Sequence, residues 1–88
     1  MNEADFRQQA QAEGFGDPQI VEFEPNLDVD MHIHDFSAFV MVTSGEFTLV
    51  TEAGSDTHLP GEVCTLAAGT LHTEKTGADG ATILIGKK

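Results

Sequence analysis

Two histidines, His32 and His34, stand one residue apart at the start of an apolar run. In a β-strand, residues i and i+2 project from the same face, and their Cα atoms are roughly 7 Å apart. Two imidazoles placed in this way can converge on one metal ion with bonds of about 2.1 Å, but they cannot complete its coordination. A third ligand must come from a neighbouring strand. His72 is the candidate, because it opens a late strand directly after a glycine turn.

One acidic residue accompanies the third histidine. Glu74 follows His72 by two residues and therefore shares the inward face of the same strand. Its carboxylate could be a fourth metal ligand, an acceptor for an imidazole N–H, or a general base. We favour the last two roles and take Glu74 as the candidate catalytic residue. The alternative for the whole group is a set of polar side chains on a solvated strand face.

The chain has 88 residues, which predicts one domain over residues 1–88. A domain of this size buries only about 60–65% of the surface of its unfolded chain, so its stability is marginal without a further source. Cys64 is the only cysteine, which excludes a disulfide within one chain. A metal ion or association with a further subunit remains as a source of stability. Cys64 itself is predicted to be a small buried apolar residue, with a thiol facing a metal cavity as the alternative, and His58 a surface residue.

The chain is strongly acidic, with four Lys and Arg against fifteen Asp and Glu and a formal net charge of −11. Such a surface repels phosphate backbones and anionic lipid headgroups, so nucleic-acid and membrane partners are not expected. The first ten residues lack the basic and apolar regions of a signal peptide. These features predict a soluble cytoplasmic protein.

The pattern of the chain changes from helix to strand after Pro18. Residues 2–13 are good helix formers, and Asn2 can cap them, which predicts a short N-terminal helix within the segment 1–16. This helix carries few apolar residues and is expected to lie on the surface. The chain after Pro18 is predicted to form seven or eight short strands with turns about every 8–12 residues. This spacing indicates an all-β antiparallel sandwich or barrel. The strand segments are 20–24, 31–42, 47–51, 57–59, 63–66, 71–75 and 82–85.

The histidines and the glycines around them resemble the first motif of the cupins, a family of small β-barrels. That motif runs Gly, five residues, His-x-His, three or four residues, Glu, six residues, Gly. His32, His34 and Gly45 match it, whereas Asn26 takes the first glycine position and Ala38 stands where the glutamate would be.

The second cupin motif runs Gly, five residues, Pro-x-Gly, two residues, His, three residues, Asn. Gly61, Gly69 and His72 match it, whereas Ala67 replaces the proline and Thr76 the asparagine. Both spacings are intact, and the resemblance covers residues 20–85. It implies an antiparallel jelly-roll barrel with the histidines inside its mouth, often as a homodimer.

The resemblance also implies a divalent metal, one of Fe, Mn, Ni, Zn or Cu, held by His32, His34 and His72 without the glutamate that Ala38 replaces. Such a centre would bind or act on a small oxygen-bearing metabolite, with dioxygenase-like or isomerase-like activity. Two alternatives stay open at this point. One is a binding or sensor module without turnover, and the other is a cupin that has lost its metal together with the glutamate.

The apolar residues between the two motifs predict the wall of the cavity. If the strand after the histidines is regular, its even-numbered residues, such as Phe36, Val40 and Val42, line the cavity. Phe39 and Met41 then point to the opposite face. They are expected to be core residues or, alternatively, to face a second subunit.

Overall fold

The computed structural model describes residues Met1–Lys88 and consists of one helix followed by five strands. The elements in chain order are α1 (Glu3–Ala12), β1 (Gln19–Phe23), β2 (Ala38–Thr51), β3 (Gly54–His58), β4 (Val63–Leu66) and β5 (His72–Lys87). All strand pairs are antiparallel. The prediction of an all-β antiparallel barrel with a short N-terminal helix is confirmed. No helix has the length and apolar character needed to cross a bilayer.

The sheet is organised around the two long central strands, β2 and β5, which pair from Ala38↔Lys87 at one end to Thr51↔His72 at the other. The outer edge of β2 takes β4 in its first half and β3 in its second half. The outer edge of β5 takes β1 in its second half. Its first half is met only by two isolated bridges, Asp28↔Lys75 and His32↔His72. The segment that carries the first two histidines is therefore attached at the beginning of β5.

The number of strands is smaller than the sequence pattern predicts, because two glycines continue a strand instead of ending it. Gly45 lies within β2 and Gly80 within β5, both with positive φ, and the β2–β5 register shifts on both sides of Gly45. A Cβ atom on Gly45 would overlap with the carbonyl oxygen of Gly80. Only glycine allows the two bulged strands to approach so closely.

The predicted strand over residues 31–42 is wrong in its first half. β2 begins at Ala38, and residues 31–37 form a loop that is anchored at His32 by a single bridge. Local pattern alone does not show this, because the apolar and polar residues still alternate where the chain has left the sheet.

Helix α1 packs on the outer face of the sheet. The side chain of Asn2 accepts a hydrogen bond from the Asp5 N–H at 2.8 Å and so caps the helix. Phe6 and Ala10 are fully buried, and the Phe6 ring stacks on Phe39 with a centroid distance of 4.5 Å. The helix is thus an integral part of the fold, and its apolar stripe is completely covered.

The side chains on the two faces of β2 belong to two separate apolar clusters. Phe39 and Met41 pack with the helix residues and Leu84 on the outer side. The inner cluster comprises Ala38, Val40, Val42, Phe47, Ala81 and Ile83. Phe39 and Met41 are therefore core residues, as expected, and the alternative that they face a second subunit is wrong because α1 covers them.

We expect replacement of Phe6 by Ala to destabilise the protein by about 3 kcal/mol, because it removes a fully buried ring and leaves a cavity against Phe39. Urea unfolding followed by circular dichroism measures the difference. Gln8→Ala, on the exposed side of the same helix, is the matched control and should change the free energy of unfolding by less than about 0.5 kcal/mol. Equal midpoints for the two variants would contradict this account of the helix.

Candidate metal site

The first and third histidines are joined through their backbones. The His32 N–H donates to the His72 carbonyl at 2.7 Å, and the His72 N–H donates back to the His32 carbonyl at 2.9 Å. Residues paired in this way in an antiparallel ladder project their side chains from the same face. The Gly69 N–H donates to the carbonyl of His34 at 2.9 Å and holds the second histidine at the same place.

The three imidazoles form a compact triangle. The ring centroids are 4.8 Å apart for His32 and His34, 4.5 Å for His32 and His72, and 5.1 Å for His34 and His72. His72 is completely buried, whereas His32 and His34 are half-buried. One potential ligand atom from each histidine and a carboxylate oxygen of Glu74 all lie within 4.8 Å of one another. The structure thus brings together all four residues that the sequence singled out.

Two backbone carbonyls determine which ring nitrogen of His32 and of His72 faces the centre. Nδ1 of His32 lies 2.9 Å from the carbonyl oxygen of Asp30, and Nδ1 of His72 lies 2.8 Å from that of Thr70. A carbonyl oxygen can only accept, so each Nδ1 carries the hydrogen and donates it. In the neutral imidazole, Nε2 then has a free lone pair directed at the centre. This arrangement is typical of metal-binding histidines, whose other ring nitrogen donates to the protein.

The carboxylate of Glu74 lies directly against these lone pairs. Oε1 is 3.1 Å from Nε2 of His72, and Oε2 is 3.3 Å from Nε2 of His32. Lone pairs on nitrogen and oxygen at this distance repel each other unless a positive charge lies between them. That charge is either a proton on Nε2 or a metal ion.

The same distances fit common ligands of one ion. Two ligands with bonds of about 2.1 Å are about 3.0 Å apart at a right angle and about 3.4 Å apart at the tetrahedral angle. Both separations between Glu74 and the histidines fall in this interval. The loosest pair of the group, at up to 4.8 Å, lies beyond the roughly 4.2 Å possible for ligands on opposite sides of an ion. Binding would therefore draw one side chain slightly inward. Three imidazoles and one carboxylate suit a divalent transition metal.

His34 differs from the other two histidines in its surroundings. Its ring stacks on Phe36 with a centroid distance of 4.7 Å and an angle of 19°. Burial, followed by the neighbouring His32 and His72, lowers the pKa of His34, and the charge of Lys87 acts in the same direction. The carboxylate of Glu74 acts in the opposite direction. A lowered pKa keeps this imidazole neutral, which is the state that binds a metal.

An apolar cavity leads away from the imidazoles into the barrel. The cavity has a volume of about 60 Å³ in which the centres of water molecules fit, and this leaves room for a small molecule. Phe36 lines the cavity without filling it, and Met31 points away into solvent. The cavity is lined by Phe23, His34, Phe36, Ala38, Val40, Phe47, Leu49, Cys64, Leu66, His72, Glu74, Ile83 and Ile85.

The predicted lining is partly correct. Phe36 and Val40 line the cavity, whereas Val42 is buried in the inner cluster beyond it. Past the bulge at Gly45 the inward side chains are odd-numbered, Phe47 and Leu49, because the register shifts reverse the alternation. Ala38, which replaces the glutamate of the motif, forms part of the wall and offers no ligand atom.

Sequence reasoning missed two kinds of site component. The carbonyl groups of Asp30 and Thr70, which orient the imidazoles, have no signal in the residue types, because every residue carries a carbonyl. The favoured interpretation of Cys64 was also incomplete. Cys64 pairs with Val40, packs against the inner cluster and lies half-buried in the cavity wall, so it combines features of both interpretations. His58 is half-buried on β3 opposite Phe47, away from the cavity lining.

Comparison with known proteins bears on the fold. No protein-family model matches the chain, and no curated protein matches it in sequence. Solved structures do match. An RmlC-like cupin from Shewanella frigidimarina superposes with a TM-score of 0.67 and 17% identity, over 81% of this chain and 64% of that one. The chain has the cupin fold.

Two further structures illustrate the range of these matches. A protein of unknown function from Rhizobium leguminosarum superposes with a TM-score of 0.73 and 15% identity, covering 99% of this chain and 93% of that one. A sugar phosphate isomerase from a cupin superfamily of Silicibacter pomeroyi gives 0.60 and 23%, covering 90% and 55%. The chain thus spans little more than half of that isomerase, and at such identities the likeness is one of fold.

The Cys64 thiol should react slowly in the folded protein. Burial, with a smaller effect from Asp56, raises its pKa from 9.0 to about 11, so the reactive thiolate is scarce at pH 8. We expect alkylation by iodoacetamide at pH 8 to be about a hundredfold slower in the native protein than in urea, as followed by mass spectrometry. Equal alkylation rates in both states would contradict this environment.

The raised pKa of Cys64 also predicts a pH dependence of stability. Because the thiol ionises first in the unfolded chain, the free energy of unfolding should fall as pH rises from about 9 to 11.

Proposed function

We propose that this cupin binds one divalent transition metal through His32, His34, His72 and Glu74, and that the metal centre catalyses an isomerase-like reaction of a small oxygen-bearing molecule. The observation that carries the proposal is the orientation of the imidazoles. Two of them donate Nδ1–H to backbone carbonyls, so that their Nε2 lone pairs converge on a carboxylate at 3.1 and 3.3 Å.

Glu74 takes the place of the missing motif carboxylate in this proposal. Ala38 offers no ligand atom, whereas Glu74, on β5, is held at separations from both imidazoles that suit a common ion. One oxygen of a carboxylate is enough for a metal bond, which leaves the second oxygen available as a proton acceptor. Glu74 thereby combines the ligand role with the catalytic role expected from the sequence.

The protein supplies the surroundings that such a reaction needs. A bound divalent ion polarises a carbonyl or hydroxyl oxygen of a ligand and stabilises developing negative charge there. The apolar wall formed by Phe36, Val40 and Phe47 excludes water and fits the hydrocarbon part of the ligand. Glu74 is half-buried next to the cavity, in a position to remove or return a proton. The Silicibacter neighbour, an isomerase by name, supports this reaction class.

Protein purified without a histidine tag should contain about one divalent transition metal ion per chain by elemental analysis. Removal of the ion by a chelator should lower the melting temperature by about 10 °C or more, because an ion that binds only the folded state stabilises it. His72→Ala should lose the ion and this response, whereas His58→Ala, which changes a histidine away from the cavity, should keep both. Equal metal content in the two variants would contradict the proposed site.

Glu74→Gln tests the two roles of the carboxylate separately. It keeps the size of the side chain but loses the charge, so we expect metal affinity to fall about 10–100-fold. At saturating metal, the wild type should exchange the proton next to a carbonyl in small hydroxyketones and hydroxyaldehydes in D₂O, as followed by NMR, and the variant should not. Unchanged affinity would exclude the ligand role.

The same assays separate this function from that of a dioxygenase and from that of a binding module. Oxygen consumption by the Fe²⁺-loaded protein, without proton exchange, would identify a dioxygenase instead. Tight binding of a small molecule that is recovered unchanged, without exchange or oxygen consumption, would identify a binding module.

A further inference from the structure

The four positive side chains of this acidic protein differ in what they contact. Three of them bind an oxygen atom of the protein: Arg7 on Glu3 at 2.9 Å, Lys75 on Asp28 at 3.8 Å, and Lys88 on the carbonyl of Glu13 at 2.9 Å. Lys87 takes part in no ion pair and no hydrogen bond through its side chain. Its ammonium group lies over the ring of Phe36, 4.7 Å from the centroid. In a chain with fifteen acidic residues, Lys87 is thus the one positive side chain without an oxygen partner.

The position of Lys87 in β5 places it at the mouth of the cavity. Ile83 and Ile85 line the cavity, and Lys87 is the next residue with the same alternation. Its partner on β2 is Ala38, which also lines the cavity. The side chain therefore leaves the sheet on the cavity side, beyond the apolar wall.

Phe36 connects this ammonium group with the candidate metal site. The ammonium nitrogen of Lys87 lies 4.7 Å from the centroid of the Phe36 ring. The Phe36 ring in turn stacks on the His34 ring with a centroid distance of 4.7 Å. The ammonium group therefore lies one aromatic ring away from the His34 imidazole, within reach of a small molecule bound at the imidazoles. The ring supplies a cation–π contact that holds the lysine in place beside the cavity.

We propose that Lys87 binds a carboxylate of the ligand, and that the ligand is a small oxygen-bearing carboxylate, with one end at the metal and the other at Lys87. This inference rests on the proposed function, because it needs the metal to hold the first end. An ammonium group that is oriented by an aromatic ring and has no partner offers its three N–H donors to an incoming anion.

The net charge of −11 does not oppose this selection at the site itself. Salt screens charges beyond about 8 Å at physiological ionic strength, so nearby groups decide binding at the mouth. Glu74 is the carboxylate in the cavity lining, and its two oxygens already face imidazoles. Lys87 and the metal are then the unbalanced charges, and both attract a carboxylate.

Two hydroxamates of equal chain length test the assignment. Succinic monohydroxamic acid carries a distal carboxylate, and butanohydroxamic acid carries a methyl group in its place; both chelate a metal through the hydroxamate. We expect the zinc-loaded protein to bind the carboxylate compound about fivefold more tightly or better by calorimetry. Lys87→Met should remove this preference without weakening binding of butanohydroxamic acid, and Lys87→Arg should retain it. Added salt should reduce the preference.

Lys88→Met is the matched control, since it removes the neighbouring lysine that contacts Phe15 and the helix end. It should keep the wild-type preference. Circular dichroism of each variant establishes that the fold is intact. Equal affinity of the wild type for both hydroxamates, or a preference that survives in Lys87→Met, would overturn the role of Lys87 while leaving the metal site standing. If the zinc-loaded protein binds neither compound, the proposed function fails and this inference with it.

Discussion

The candidate site depends on one pair of backbone hydrogen bonds, those that His32 and His72 exchange. They join the two histidine motifs, which lie forty residues apart in the chain, and they do so through groups that every residue possesses. The antiparallel pairing then places both imidazoles on one face, and the carbonyls of Asp30 and Thr70 rotate them so that Nε2 points inward. The donor set is thus prepared by the backbone before any ion enters.

This preparation has an electrostatic cost when no cation is present. Three imidazoles and a carboxylate place potential ligand atoms within 4.8 Å of one another, and His72 among them is completely buried. Small antiparallel barrels have little core to offset such a cost. A site of this kind is retained where a cation compensates it, which connects the marginal size of the domain with the chemistry of its mouth.

The spatial grouping of the four polar residues was easier to predict from the sequence than the strands. Histidine spacing has few structural meanings, so His32, His34, His72 and Glu74 could be grouped before the structure was known. The strand count failed because Gly45 and Gly80 read as turns in a local window, although their meaning is set by the contact between two strands thirty-five residues apart. The position of Lys87 beside the cavity could not be predicted for the same reason. Its direction depends on the alternation of β5 after the bulge, and its lack of an anionic partner is visible only in three dimensions.

The shared use of β2 by the two apolar clusters has a mechanical consequence. Ala38 and Val40 form the wall of the cavity, and Phe39, between them, carries the stacked ring of the helix. A movement of β2 shifts the side chains on both of its faces, because they share one backbone. The packing of the outer helix therefore influences the width of the cavity inside the barrel. Substitutions in the helix, far from the imidazoles, can change which molecules fit.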